Sequence, residues 1–266
     1  MNTLYWFTDD LRIADNPALI AAASDTNLTC VYCMDDAYFR TDRFGNQPIG
    51  KHRWRFLCES LRHLDDELLA LGQTVNILRG DPNAAVATLL KAGRFDRVIR
   101  AKQHTYRGPD PWDRLQTDFP DIRFDEFDVS TLFSCKDLNF EHAFPNTFSQ
   151  FKKAVGTLTY RNFLPSPDRL PTSLIELENN QLETSGPPGK RTGGATAADL
   201  HITAYFGGKA ASTYKDTRNN LSGKDSSTGF SPWLANGSLS PLQALKQLRH
   251  YEATYGANNS TGWILF

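Results

Sequence analysis

Between Tyr214 and Pro241 the chain reads YKDTRNNLSGKDSSTGFSPWLANGSLSP. An aromatic-basic turn (Tyr214, Lys215, Arg218, Asn219) comes first. A hydroxyl-rich loop (Ser226, Ser227, Thr228, Gly229) follows it, and then two helix starts, Ser231-Pro232 and Ser240-Pro241. Ser at the N-cap with Pro at the first helical position is a strong start signal. The side-chain oxygen satisfies an orphan amide, and Pro lacks the amide that would otherwise be orphaned. Hydroxyls and free N–H groups running into a helix N-terminus suit the oxygens of a diphosphate. The same residues also suit a plain capped loop. In that case the hydroxyls satisfy only backbone groups, and Arg218 is a solvated cation rather than a phosphate clamp.

Other familiar chemistries are missing. The six His are scattered, with no i, i+4 pair and no H-E-x-x-H, and there is no G-x-S-x-G. No G-x-G-x-x-G follows the first strand-like run. Gly186-Pro187-Pro188-Gly189-Lys190 resembles a P-loop tail but lacks the full spacing and follows no strand, so it reads as linker. The four Cys are Cys30, Cys33, Cys58 and Cys135. Cys30 and Cys33 lie in an apolar strand-like run, where a spacing of three sends them to opposite faces. That suits reduced core thiols better than a redox pair or a zinc site, which would need a second pair.

The segments that must position the loop begin with alternating strand and helix. Leu4–Phe7 reads as strand, Asn16-Pro17 caps a short helix, and Leu28–Met34 is the next strand. Trp54, Leu57, Cys58, Leu61, Leu64, Leu68 and Leu71 recur at helical spacing from about Lys51, and Gly72 stops that helix. Thr74–Leu78 is a strand. Asp81-Pro82 starts a helix that ends near Gly93. Arg97–Ala101 is a strand, Asp110-Pro111 starts another helix, and Ile122–Val129 is a fifth strand. Such repeats predict an α/β fold with a doubly wound, Rossmann-like parallel sheet covered on both faces. From Leu164 to Gly194, Pro mixed with Ser, Asn and Gly reads as a surface connection between domains. After Thr196 the pattern is helical, and the last apolar run, Ser260–Phe266, has no polar stop. The expected organisation is an α/β domain over 1–135, a linker over 136–195 and a partial helical domain over 196–266.

Composition narrows the classes. The 266 residues carry 29 Lys plus Arg against 30 Asp plus Glu, a net charge of -1, so any nucleic-acid contact must come from a local patch. Hydrophobic residues at 40% and charged residues at 22% are ordinary for a soluble globular protein. The opening MNTLYWFTDDLR has no basic region and a four-residue apolar run, unlike a secretory signal. A cytoplasmic protein with no membrane span is expected.

The Tyr214–Pro241 stretch resembles the flavin-binding signature of the photolyase/cryptochrome family, nearest its DASH branch: Y-K-x-T-R-N, then S-T-x-F-S-P-W-L-A-x-G-x-L-S-P. LYWFTDDLRIADNPAL (Leu4–Leu19) resembles the family's opening W-F-x-x-D-L-R-x-x-D-N-x-x-L. FPNTFSQFKKAV (Phe144–Val155) resembles the branch's F-T-x-F-R-K segment, and Gly193-Gly194 the G-G-E-x-x-A start of the helical domain. The four motifs stand in the family's order along the whole chain. The resemblance implies FAD as cofactor, its diphosphate and ribityl chain held by Tyr214, Ser227, Thr228, Phe230 and Ser231. It places Arg218 near a DNA phosphate. It also implies a folate antenna (5,10-methenyltetrahydrofolate) at Phe148, Gln150, Phe151 and Lys152, residues that simple domain packing explains equally well. The implied partner of a monomeric protein is DNA, preferentially single-stranded or damaged, since a base flips out most easily there. The implied activity is that of a deoxyribodipyrimidine photo-lyase, a light-driven electron transfer to pyrimidine dimers, or blue-light photoreception by the same flavin.

The chain also departs from the family. Gly229 stands where a basic residue is common, Ser226 where an aromatic is common, Gly156 where the antenna segment has an acid, and Gly262 where a bulky aromatic precedes the Trp. The family's helical domain continues beyond the point matched by Phe266, into an E-L-x-W-R-D-F-like motif whose Trp stacks on the lesion. Three readings follow. The chain is a fragment or truncated reading frame of a flavoprotein; or a flavin-free, catalytically inactive remnant acting as a binding or antenna module; or an unrelated α/β nucleotide-binding protein with a helical cap.

Overall fold

The computed structural model describes residues 1–104, 111–134, 136–138, 140, 145–156, 158–175, 177, 182, 189–223 and 226–264, without the side chains of Pro111 and Trp263. Asp110, Cys135, Gly186–Pro188, Leu265 and Phe266, all named above, lie outside them.

Five strands, β1 (Asn2–Phe7), β2 (Asn27–Asp35), β3 (Val75–Gly80), β4 (Arg97–Ala101) and β5 (Arg123–Phe127), form one parallel sheet in the order β3-β2-β1-β4-β5. Tyr5 of β1 stands between Cys30 of β2 and Ile99 of β4. That register sends Tyr5, Phe7, Cys30, Tyr32 and Ile99 into one buried cluster and Leu4, Trp6, Val31, Cys33 and Val98 into another. Burial on both faces explains why β1 and β2 read as largely apolar runs. It also places the two thiols of C-x-x-C on opposite sides, as their spacing predicts. Burial pushes the Cys33 thiol up to about 12, far from the thiolate a redox pair needs.

Four helices connect the strands: α1 (Pro17–Ala22), α2 (Lys51–Ala70), α3 (Pro82–Ala92) and α4 (Pro111–Asp118). Asn16 and Asp81 cap α1 and α3 through their side chains, each with Pro next in line. α2 buries Cys58, Leu61, Leu64 and Leu68 against the sheet, and Gly72, at φ +82, turns the chain out of it.

The predicted surface connection is in part not on the surface. The amide of Leu170 donates to the Leu71 carbonyl at 3.0 Å, and that of Leu28 to the Thr172 carbonyl at 3.0 Å. The buried Gln73 amide bridges the Leu28 carbonyl (2.6 Å) and the Pro171 carbonyl (2.8 Å). Leu170 is 1% exposed. Here Pro removes donors the structure does not need, while its neighbours satisfy the start of β2, which precedes the first β2–β3 pair at Cys30.

One short helix, α5 (Phe148–Val155), precedes that connection. Five follow it: α6 (Ala195–Phe206), α7 (Ala210–Thr217), α8 (Ser231–Ala235), α9 (Pro241–Tyr255) and α10 (Asn259–Ile264). They gather Ile202, Phe206, Ala211, Phe230, Trp233, Leu248 and Tyr251 into a third core.

Candidate functional site

A seam of buried polar groups lies at the C-terminal end of β1. The Asp10 carboxylate accepts from the Tyr5 hydroxyl at 2.6 Å, the Thr8 amide at 2.8 Å and the Asn16 side chain at 3.2 Å. Burial raises both Tyr5 and Asp10 from their ordinary values. Arg12, 1% exposed, donates to the carbonyls of Gly237 (2.9 Å), Asp15 (2.9 Å) and Val129 (2.6 Å). Its burial without an ion pair among the described residues lowers its pKa, and the three carbonyls are what make that burial tolerable. The Leu11 amide donates to the Asn236 carbonyl at 3.0 Å. Gly237 has φ +73, and a Cβ there would lie 2.5 Å from the Asp10 Cα and nearer still to the Asp9 carbonyl. The turn after α8 is thus fixed directly onto the end of β1.

A polar strip of α2, half-buried at Arg55, Glu59 and His63 and buried at Ser60, makes a second seam. Arg55 pairs with Glu59 at 2.8 Å and donates to the Arg191 carbonyl at 2.8 Å. Glu59 accepts from the Gly193 amide at 2.8 Å, and Ser60 Oγ from the Gly194 amide at 3.0 Å and the Asn236 side chain at 2.8 Å. A Cβ at Gly193 would lie 2.5 Å from Ser60 Oγ, and one at Gly194 2.7 Å from His63. The Gly-Gly motif is therefore a close approach of the start of α6 to α2. His63 contacts Thr196 Oγ1 at 2.7 Å, and its hydrogen bond to Glu67 raises its pKa.

The hydroxyl loop lies above these seams. Ser227 is exposed, Thr228 and Gly229 are half-buried, and Phe230 is 4% exposed among the rings of Tyr205, Phe206 and His201. Ser227 Oγ accepts from the Gly229 amide at 3.2 Å. Ser231 departs from expectation. It is the first residue of α8, not its cap; Phe230 holds the cap position with helical angles (φ -76, ψ -20) and no side-chain cap. Burial of the Phe230 ring sets that turn. Ser240 does cap α9, in a full capping box with Gln243. Tyr214 is half-buried on α7, and Arg218, exposed, ends that helix. Phe148 and Gln150 are exposed and Phe151 and Lys152 half-buried on α5, where Thr147 caps the Gln150 amide at 3.3 Å.

A cleft of about 1150 Å³ opens where the first seam, the second seam and α8 meet. Asp9, Tyr38, His52, Arg53, Arg191 and Ser231 are among its walls. Of the cofactor, antenna and DNA-contact residues expected from sequence, Ser231 alone lines it. The others missed by sequence reasoning come from separate segments, with no shared periodicity to announce them. The nearest signal was Asp10, Arg12, Asp15 and Asn16 in the opening motif, which build the seam beneath.

A family model for DNA photolyase matches residues 3–171. A cryptochrome DASH from Idiomarina loihiensis is 38% identical over 99% of this chain and 60% of its own length. One from Xenopus laevis is 33% identical over 97% of this chain and 53% of its own. The crystal structure of a Synechocystis sp. PCC6803 cryptochrome superposes on all of this chain with a TM-score of 0.89 at 29% identity, covering 58% of that structure. A bacterial class III photolyase from Agrobacterium tumefaciens shares the fold over 98% of this chain and 55% of its own, with a TM-score of 0.83 at 19% identity. The chain spans roughly half to three-fifths of the length of such relatives.

Proposed function

The chain belongs to the DNA photolyase family, on its cryptochrome DASH side, and we propose that it carries the diphosphate-seating part of a blue-light FAD protein. Residues 1–135 would form the α/β layer, 136–195 the connection and 196–266 the first helices around the flavin. One observation carries this reading. The 226–231 loop turns Ser227 and Ser231 to solvent while Phe230 anchors it in a buried aromatic cluster. Ser226 Oγ donates to the Gly223 carbonyl and Ser227 Oγ accepts from the Gly229 amide within the loop, so what supports a ligand here is the exposed Ser227 O–H and Ser231, held from behind by Phe230.

Tyr214, Ser227, Thr228, Phe230 and Ser231 would hold FAD, some through backbone amides. Bound FAD would supply light absorption and an electron for a pyrimidine dimer in DNA, single-stranded or damaged by preference, or for a signalling response. This chain's own part is to hold the diphosphate, keep water from it with Phe230, and offer Arg218 to a DNA phosphate. The folate antenna remains proposed for Phe148, Gln150, Phe151 and Lys152 on α5. The protein would act as a monomer in the cytoplasm. No helix among the described residues is long and apolar enough to cross a membrane.

The test is an absorption spectrum after incubation with FAD and desalting, on two proteins: the 266-residue chain, and the chain fused to the remaining helical sequence of the Idiomarina relative. Flavin retained by the fusion, and lost when Ser227 and Ser231 are both changed to Ala, is the expected result. A colourless, folded fusion that cannot be reconstituted overturns the reading.

A further inference from the structure

Behind the hydroxyl loop, one imidazole nitrogen faces two groups that it cannot serve together. His201 Nε2 lies 2.8 Å from the Thr228 carbonyl oxygen, which only accepts, and 3.2 Å from Arg191 Nη1, which only donates. A ring carrying its proton on Nε2 bonds Thr228 and turns Arg191 away. A ring carrying it on Nδ1 accepts from Arg191 and leaves the Thr228 carbonyl without that donor. Arg191 is held for this choice. Its guanidinium lies 5.3 Å over the Trp233 ring and fills the space of a missing side chain at Gly229, where a Cβ would be 2.7 Å from Nη1 and closer still to Nη2. Among the described residues, no carboxylate lies within ion-pair distance of Arg191, whereas Arg55 beside it is paired with Glu59. Arg191 also opens onto the cleft that Ser231 lines. The result is a guanidinium with no carboxylate counter-ion among the described residues, braced against an aromatic ring and seated in the loop proposed to take a diphosphate.

We propose that Arg191 and His201 form an anion-gated clamp on this loop. A diphosphate that engages the Arg191 guanidinium withdraws Nη1 from His201, whose proton then resides on Nε2 and is donated to the Thr228 carbonyl, fixing the loop around its ligand. The ring stays neutral throughout; solvent takes the proton from Nδ1 and returns one to Nε2. Both are positioning residues for the loop hydroxyls, and Gly229 is required because any side chain there would displace the guanidinium. The clamp rests on the diphosphate reading of the loop but names the groups that sense the ligand.

The test is nitrogen NMR of the 266-residue chain with ¹⁵N-labelled imidazoles, titrated with inorganic pyrophosphate at constant ionic strength. The expected result is movement of His201 from the Nδ1–H to the Nε2–H state with saturation. Arg191→Gln should weaken pyrophosphate roughly tenfold or more, because a charge-assisted fork is lost, and should freeze the tautomer. Arg191→Lys should restore part of the affinity but not the tautomer response, since an ammonium cannot stack or fork in the same way. The wild-type titration stands alone if either variant is unstable. An unmoved His201 at saturation, no pyrophosphate binding, or the same movement with chloride overturns the clamp. Flavin retention with an indifferent His201 sinks the clamp and spares the function. A responsive His201 in a fusion that takes no flavin does the reverse.

Discussion

Gly237 shows how much a single residue without a side chain decides. Its positive φ and its contact with the Asp9 and Asp10 backbone leave no room for a methyl group. Gly237→Ala should therefore destabilise the chain by roughly 2–5 kcal/mol, the sum of overpacking and a left-handed backbone. Urea denaturation measures it, and a loss under ~0.5 kcal/mol would mean that the turn moves away from β1. The two Ser-Pro pairs teach a related lesson. Ser240 has Gln243 three residues on and caps its helix; Ser231 has Leu234 there and does not. That difference was legible in the sequence, but the bare dipeptide concealed it. Ser240→Ala should cost about 1 kcal/mol, while Ser231→Ala should stay within ~0.5 kcal/mol; comparing their unfolding midpoints checks the assignment. The groups behind the loop were not legible. Arg191 and His201 meet Gly229 and Thr228 only because three separate segments converge, and no spacing in one segment reports that.

Among the elements, α2 carries most of the organisation. Its apolar stripe was readable from period alone, and the strands beside it from their apolar runs; boundaries shifted by a residue or two at β1, β2, β3 and β5. Its polar strip looked like ordinary solvated surface, because Arg, Glu, Ser and His give no sign that a backbone will dock there. His63 makes the stability of this element pH-dependent. Its hydrogen bond to Glu67 raises its folded pKa above 6.5. The protonated ring therefore stabilises the fold fully below about pH 6.5, and that contribution is lost as pH rises through the raised value. Asp66 and Glu67 face it, and Thr196 contacts its other nitrogen. Urea midpoints followed from about pH 5.5 to 9 should decline in the wild type and flatten in His63→Gln. An identical slope in both would assign the dependence elsewhere.

For the whole molecule, the near-zero charge turns attention from a basic coat to a local patch, and the strand-helix rhythm gave the sheet. The packing of the 170–175 stretch against β2 escaped, since Pro-rich composition looks alike whether a segment is solvated or lies on a strand edge. If Arg218 meets a DNA phosphate, Arg218→Ala should weaken all sequences alike and reduce the salt slope by about 1. A sequence-dependent loss, read by fluorescence anisotropy at several salt concentrations, would remove Arg218 from that role. The carbonyls around Arg12 also bear on synthesis. A ribosome delivers Asp15 at once and Val129 much later, but the Gly237 acceptor only 225 residues after Arg12. Until then a nascent sheet carries a cation with an unfilled valence at its rim, and the last partner to be translated bolts the first strand into place.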